Sequence, residues 1–157
     1  AGDALECFAG LGRRYVGPVI RCTRQELTVG IDRQTEESPP RLQLTLAQSV
    51  IRPERFEWVI EKATELGVAR IMPVLTSRTV VRCSSGEGGS RLRRWRRIVE
   101  SAATQCGRAT IPVIEAPQPL GRVLERLSEC YLMLPTLAAV PNSKAIFRIV
   151  SGGILVI

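Results

Sequence analysis

Short apolar runs separated by turn residues open the chain. Ala4–Phe8 and residues 15–20 and 27–31 have strand length and composition, and Gly10, Gly12 and residues 23–26 supply turns between them. An antiparallel, all-β opening is predicted. Glu36-Glu37-Ser38-Pro39-Pro40 reads as a linker, because paired prolines stiffen the chain and cannot donate to a sheet. After it the period of the pattern changes. Residues 42–50 form a strand, and Pro53 stands at the first turn of a helix. Phe56, Val59, Ile60, Ala63 and Leu66 then recur at helical spacing as one apolar stripe. Gly67 ends that helix at the C′ position, and residues 68–74 are the next strand. A strand, a helix and a strand of these lengths imply a parallel sheet.

The second half continues in the same way. Residues 83–90 (CSSGEGGS) read as a loop, and Ser90 caps a second helix. That helix turns Leu92, Trp95, Ile98, Val99, Ala102 and Ala103 inward and closes at Gly107. Residues 111–114 form a strand, 120–127 a helix and 130–134 a strand, while 146–150 fit either. Ile154-Leu155-Val156-Ile157 reads as a fully buried parallel strand. Such sheets bind ligands beyond the carboxyl ends of their strands. The sequence stops on such a strand and opens directly into a barrel-like strand, so it reads as a piece of a longer chain. The expected architecture is an α/β domain preceded by part of a β-barrel, divided into residues 1–38 and 39–157.

Composition narrows the function. The chain has 157 residues, 45% of them apolar, which excludes a disordered polypeptide. No run approaches the roughly 18–20 apolar residues of a membrane span, and no signal-peptide pattern opens the chain. With no histidine at all, His-based triads and His metal sites are excluded. The five cysteines (Cys7, Cys22, Cys83, Cys106 and Cys130) lack a CxxC pair and read as free thiols. A soluble cytoplasmic protein without metal or membrane partner is expected.

Charge adds a partner. The net charge is +7, and residues 78–157 alone carry +7, with the first 77 residues balanced. Arg78, Arg82, Arg91, Arg93, Arg94, Arg96 and Arg97 against Glu87 give +6 within twenty residues. A solvated helix face and the footprint of a polyanion both fit such a cluster. Five of these arginines fall just after the expected cap at Ser90, where the helix dipole is already positive. That placement favours the polyanion, because helix N–H groups and guanidinium forks both hold phosphate. Trp95 lies among the arginines, but its phase belongs to the core stripe.

Other chemistry is sparse. Gly86-Glu87-Gly88-Gly89 lacks the lysine of a phosphate loop, and Gly152-Gly153 precedes a strand where nucleotide folds need glycines after one. Glu57, Glu61 and Glu65 read as surface charges. Ser84, Ser85 and Ser101 have no neighbouring base. The residues alone reveal no catalytic centre.

Three stretches carry a resemblance. Residues 57–68 (EWVIEKATELGV) are followed by Ile71-Met72-Pro73-Val74 and Ser77-Arg78-Thr79-Val80-Val81. Residues 94–99 (RWRRIV) lead through 100–108 (ESAATQCGR) to Ile111-Pro112. In order and spacing the chain resembles the RsmE-type bacterial ribosomal RNA methyltransferases. The resemblance implies methylation of N3 of a uridine in small-subunit ribosomal RNA with S-adenosylmethionine. It also implies a SPOUT α/β domain with a C-terminal trefoil knot, a homodimer, and an N-terminal PUA-like barrel whose later part is residues 1–38. The family's G-P-E-G-G loop and R-I-L-R-x-E-T-A block, which form the knot, would follow Ile157. Leu134, Pro135 and Thr136 occupy the position of a loop bordering the cofactor pocket. Arg78, Arg82, Arg91, Arg94, Arg97 and Arg108 are the expected RNA contacts, with Arg78 and Arg108 beside the family-like motifs. Uridine N3 must lose its proton before it attacks, and a cation at the uracil carbonyls would stabilise that anion. The transfer then needs in-line placement rather than a covalent intermediate, which agrees with a chain lacking histidine. A non-catalytic RNA-binding protein with a basic helix and a barrel is the alternative from another class.

Overall fold

The computed structural model describes residues 4–38, 40–77, 79, 87–126, 131–133 and 153–156. Its contacts divide the chain into two compact units. Unit 1 takes Ala1–Pro39 together with Ala103–Ile111, and unit 2 takes Pro40–Ala102 and Pro112–Ile157.

Unit 1 is built on one long strand. β2 (Arg13–Cys22) pairs antiparallel with β1 (Ala4–Phe8) along one edge. Its other edge carries β4 (Arg33–Glu36) at Arg13–Val16 and β3 (Leu27–Val29) at Val19–Cys22. The main chain crosses itself closely at Gly17, where a Cβ would lie 1.6 Å from the Gly30 carbonyl oxygen. β4 was not foreseen. All four of its residues are polar and exposed, so only its backbone bonds to β2 make it a strand. Gly10 and Gly12 both have positive φ, and the turn they form receives the segment after the second long helix. Gly12 N–H donates to Ala109 C=O at 2.9 Å, and Ile111 N–H donates to Gly10 C=O at 3.1 Å.

Unit 2 is a parallel sheet with helices. Along the chain it contains β5 (Thr45–Ser49), α1 (Pro53–Glu65), β6 (Arg70–Leu75), α2 (Glu87–Gln105, whose last three residues fall in unit 1), β7 (Val113–Ile114), β8 (Gln118–Pro119), α3 (Leu120–Arg126), β9 (Tyr131–Met133) and β10 (Gly153–Val156). The strand order is β7-β6-β5-β10-β9, with β8 also on β6, and every pairing is parallel. Parallel strands are covered on both faces, and Leu46, Ala47 and Gln48 are accordingly buried in succession. Phe56, Ile60 and Ala63 of α1, Trp95, Val99 and Ala102 of α2, and Val123 of α3 complete the core.

Both long helices end alike. Gly67 N–H donates to Thr64 C=O at 3.2 Å and Val68 N–H to Ala63 C=O at 3.0 Å. Gly107 N–H donates to Thr104 C=O at 3.2 Å and Arg108 N–H to Ala103 C=O at 2.9 Å. These are paired Schellman closures, with a glycine at positive φ in each C′ position.

Two expectations change. Leu66 was assigned to the apolar stripe but is 80% exposed, because it is the C-cap residue where the helix turns away. Thr64 is buried instead, its Oγ1 donating to Ile60 C=O at 2.8 Å. Helix α2 starts at Glu87, so Ser90 lies inside it rather than capping it. The arginines therefore begin in the second turn, beyond the strongest reach of the helix dipole.

Candidate nucleic-acid interface and cofactor edge

Helix α2 has two opposed faces. Trp95, Val99, Ala102 and Ala103 are buried, and the Trp95 ring packs 4.8 Å from that of Phe56 at an interplanar angle of 53°. Trp95 is a core residue and offers no face to a base. Arg93, Arg96 and Arg97 lie opposite, at i, i+3 and i+4, and all three are exposed. Arg94 differs. Its Nε lies 2.7 Å from Glu57 Oε1 on α1, and its Nη2 donates to Glu57 Oε2 at 2.8 Å.

The expected RNA contacts are thus separated. Arg97 is solvent-facing, Arg94 is bound to Glu57, and Arg91 is half-buried. Arg78 and Arg82 lie outside the described residues. Arg108 is half-buried in unit 1, directly after the glycine that closes α2. Arg93 and Arg96 were missing from the expected set, although their phase against Trp95 and Val99 was available in the sequence.

A second ionic group holds the β6 edge. Glu115 accepts from Arg70 Nη1 at 2.7 Å and from Arg126 at 2.6 Å and 3.0 Å. The Arg126 bonds and, behind them, those from Arg70 outweigh burial and hold the Glu115 carboxyl below its ordinary pKa. The paired glutamates of α1 are likewise ion partners, with Lys62 Nζ donating to Glu61 at 2.8 Å and Glu65 at 2.9 Å. Among the described residues no His/Cys/Asp/Glu group could hold a metal. No described helix is long and apolar enough to cross a membrane.

The carboxyl edge of the sheet is made by the ends of β5, β6, β9 and β10. Leu134, Pro135 and Thr136 follow β9 in sequence and lie outside the described residues, as do residues 146–150. Ser49, Val50, Leu75 and Thr76 are the described residues on this edge next to β5 and β6, and all are uncharged. Val50 N–H donates to Val74 C=O at 2.9 Å, which holds the two strand ends together.

A parallel sheet with connecting helices defines unit 2 as a mixed α/β domain. Residues 37–152 match the family model described as RNA methyltransferase domain, and the chain belongs to that family. A ribosomal RNA small subunit methyltransferase E from Synechocystis sp. is 33% identical over 116 residues, covering 71% of this chain and 37% of its own length. Another from Mycobacterium tuberculosis is 31% identical over 128 residues, covering 82% of this chain and 49% of its own. The chain therefore spans less than half the length of these relatives. Among solved structures, a Legionella pneumophila methyltransferase with SAM bound superposes with a TM-score of 0.86 at 27% identity, covering 99% of this chain and 65% of that one. A Neisseria gonorrhoeae ribosomal RNA small subunit methyltransferase E bound to S-adenosyl methionine gives 0.85 at 26%, covering 99% and 64%.

Proposed function

We propose that the protein containing this chain methylates N3 of a uridine in small-subunit ribosomal RNA, taking the methyl group from S-adenosylmethionine. The observation that carries this reading is the exposed Arg93, Arg96 and Arg97 row on a core-anchored helix of an RNA methyltransferase domain. Three adjacent guanidiniums fit the spaced phosphates of an RNA strand and fix its register without reading its bases. Arg78 and Arg108 are assigned to contact with the RNA substrate, and a cation near the uracil carbonyls would favour the anion left when the N3 proton passes to solvent. The donor supplies a methyl group on a sulfonium centre. Leu134, Pro135 and Thr136, with the neutral ends of β5 and β6, are the residues assigned to hold it. No nucleophilic side chain is required, because placing N3 in line with the methyl group does most of the work.

In this reading residues 1–38 are the later part of a PUA-like RNA-binding barrel, and 39–157 are part of a SPOUT α/β methyltransferase domain. The protein acts as a cytoplasmic homodimer on ribosomal RNA or the assembled small subunit. The test is methyl transfer by the full-length protein to small-subunit RNA, followed by nucleoside mass spectrometry. A single methyluridine carrying its methyl on N3 is expected. RNA binding without any methylated nucleoside would instead support a non-catalytic binder.

A further inference from the structure

Arg108 stands between two peptide groups that are both held by one ion-paired couple. Arg14 of β2 donates through Nη2 to the carbonyl of Gly107, in the peptide before Arg108. Glu37, just after β4, accepts the N–H of Ala109 at 3.3 Å, in the peptide after it. The two side chains approach each other at 3.8 Å, and Glu6 fixes the other end of the Arg14 guanidinium at 3.0 Å. Arg108 N–H is itself bonded to Ala103 C=O, so both polar atoms of the Gly107–Arg108 peptide plane are engaged. Gly107, at φ +71°, could otherwise rotate this plane at little cost. With one plane fixed before Arg108 and another after it, the backbone of Arg108 has one arrangement left. All these residues belong to unit 1.

We propose that Arg14 and Glu37 are positioning residues for Arg108, setting the direction from which it meets the RNA. The inference rests on the methyltransferase reading above and adds two residues to it. Arginine is the side chain this place requires. Its planar fork reaches Glu6, Glu37 and a carbonyl together, whereas a lysine is a single point donor.

The test is a double-mutant cycle in the full-length protein, with methylation of small-subunit RNA as the readout. Arg14→Ala and Arg108→Ala should each lower kcat/KM, the first by about tenfold, since small misplacements near the reacting atoms are costly. In the Arg108→Ala background, Arg14→Ala should have no further effect. Arg14→Lys should recover only part of the loss. Amide exchange at Ala109 should quicken in Arg14→Ala while that of the β1–β2 pairing stays unchanged. Full activity in Arg14→Ala, or losses that simply multiply in the double variant, would overturn the positioning role. A wild-type protein that methylates no uridine would overturn the methyltransferase reading itself, a result distinct from either.

Discussion

Arg94 and Glu57 meet as a two-pronged ion pair, Nε to Oε1 at 2.7 Å and Nη2 to Oε2 at 2.8 Å, that ties α2 to α1. Each partner is one residue from a ring of the Phe56–Trp95 contact, Glu57 after Phe56 and Arg94 before Trp95. It makes one arginine of the basic cluster a strut between helices, while Arg93, Arg96 and Arg97 stay exposed.

Arg94 is 69% exposed, so its pair with Glu57 is screened and contributes modestly. Arg94→Ala should cost about 0.2–1 kcal/mol. Trp95→Ala, which empties the core beside Phe56, should cost about 3–5 kcal/mol. Denaturant melts of both variants check the contrast.

Glu115 links acid stability to the β6 edge. Its carboxyl titrates lower in the folded protein, chiefly because Arg126 and then Arg70 bond the charged form. A depressed folded pKa stabilises at neutral pH and loses that contribution as pH falls through the carboxylate range. Glu115→Gln should therefore be less stable than wild type at pH 7, and the gap should close between about pH 5 and pH 3. A gap independent of pH would mean that charge is not the cause.

Two glycines should fail for different reasons. Gly17→Ala drives a Cβ into the Gly30 carbonyl, which is backbone and cannot step aside. A cost above about 4 kcal/mol is expected, at the severe end for single substitutions. Gly67→Ala meets nothing within 4 Å but must keep φ +92°, a matter of about 1–2 kcal/mol. Thermal melts separate the two.

Much of the parallel sheet was legible because local signals agreed. Pro53 and Gly67 bracket α1, and the Trp95–Val99 phase orients α2. β4 was not legible, since Arg33–Glu36 has no apolar residue and owes its strand to β2. The start of α2 was hidden by Gly88 and Gly89, which read as a loop. The basic cluster was legible as charge, but not its division of labour. That depends on Glu57, 37 residues from Arg94 in sequence. The joining of residues 107–111 to unit 1 is likewise long-range, and no periodicity announces it.

The most direct test of the interface is the salt dependence of ribosomal RNA binding by the full-length protein. Wild type should be compared with Arg93→Ala/Arg96→Ala/Arg97→Ala and with Arg94→Ala. Each phosphate contact removed should lower the slope of log K against log salt by about 0.7–1. The triple variant should therefore bind more weakly, with a slope lower by about 2–3, while Arg94→Ala keeps the wild-type slope. An unchanged slope in the triple variant would contradict the account and leave the arginine row as a solvated helix face.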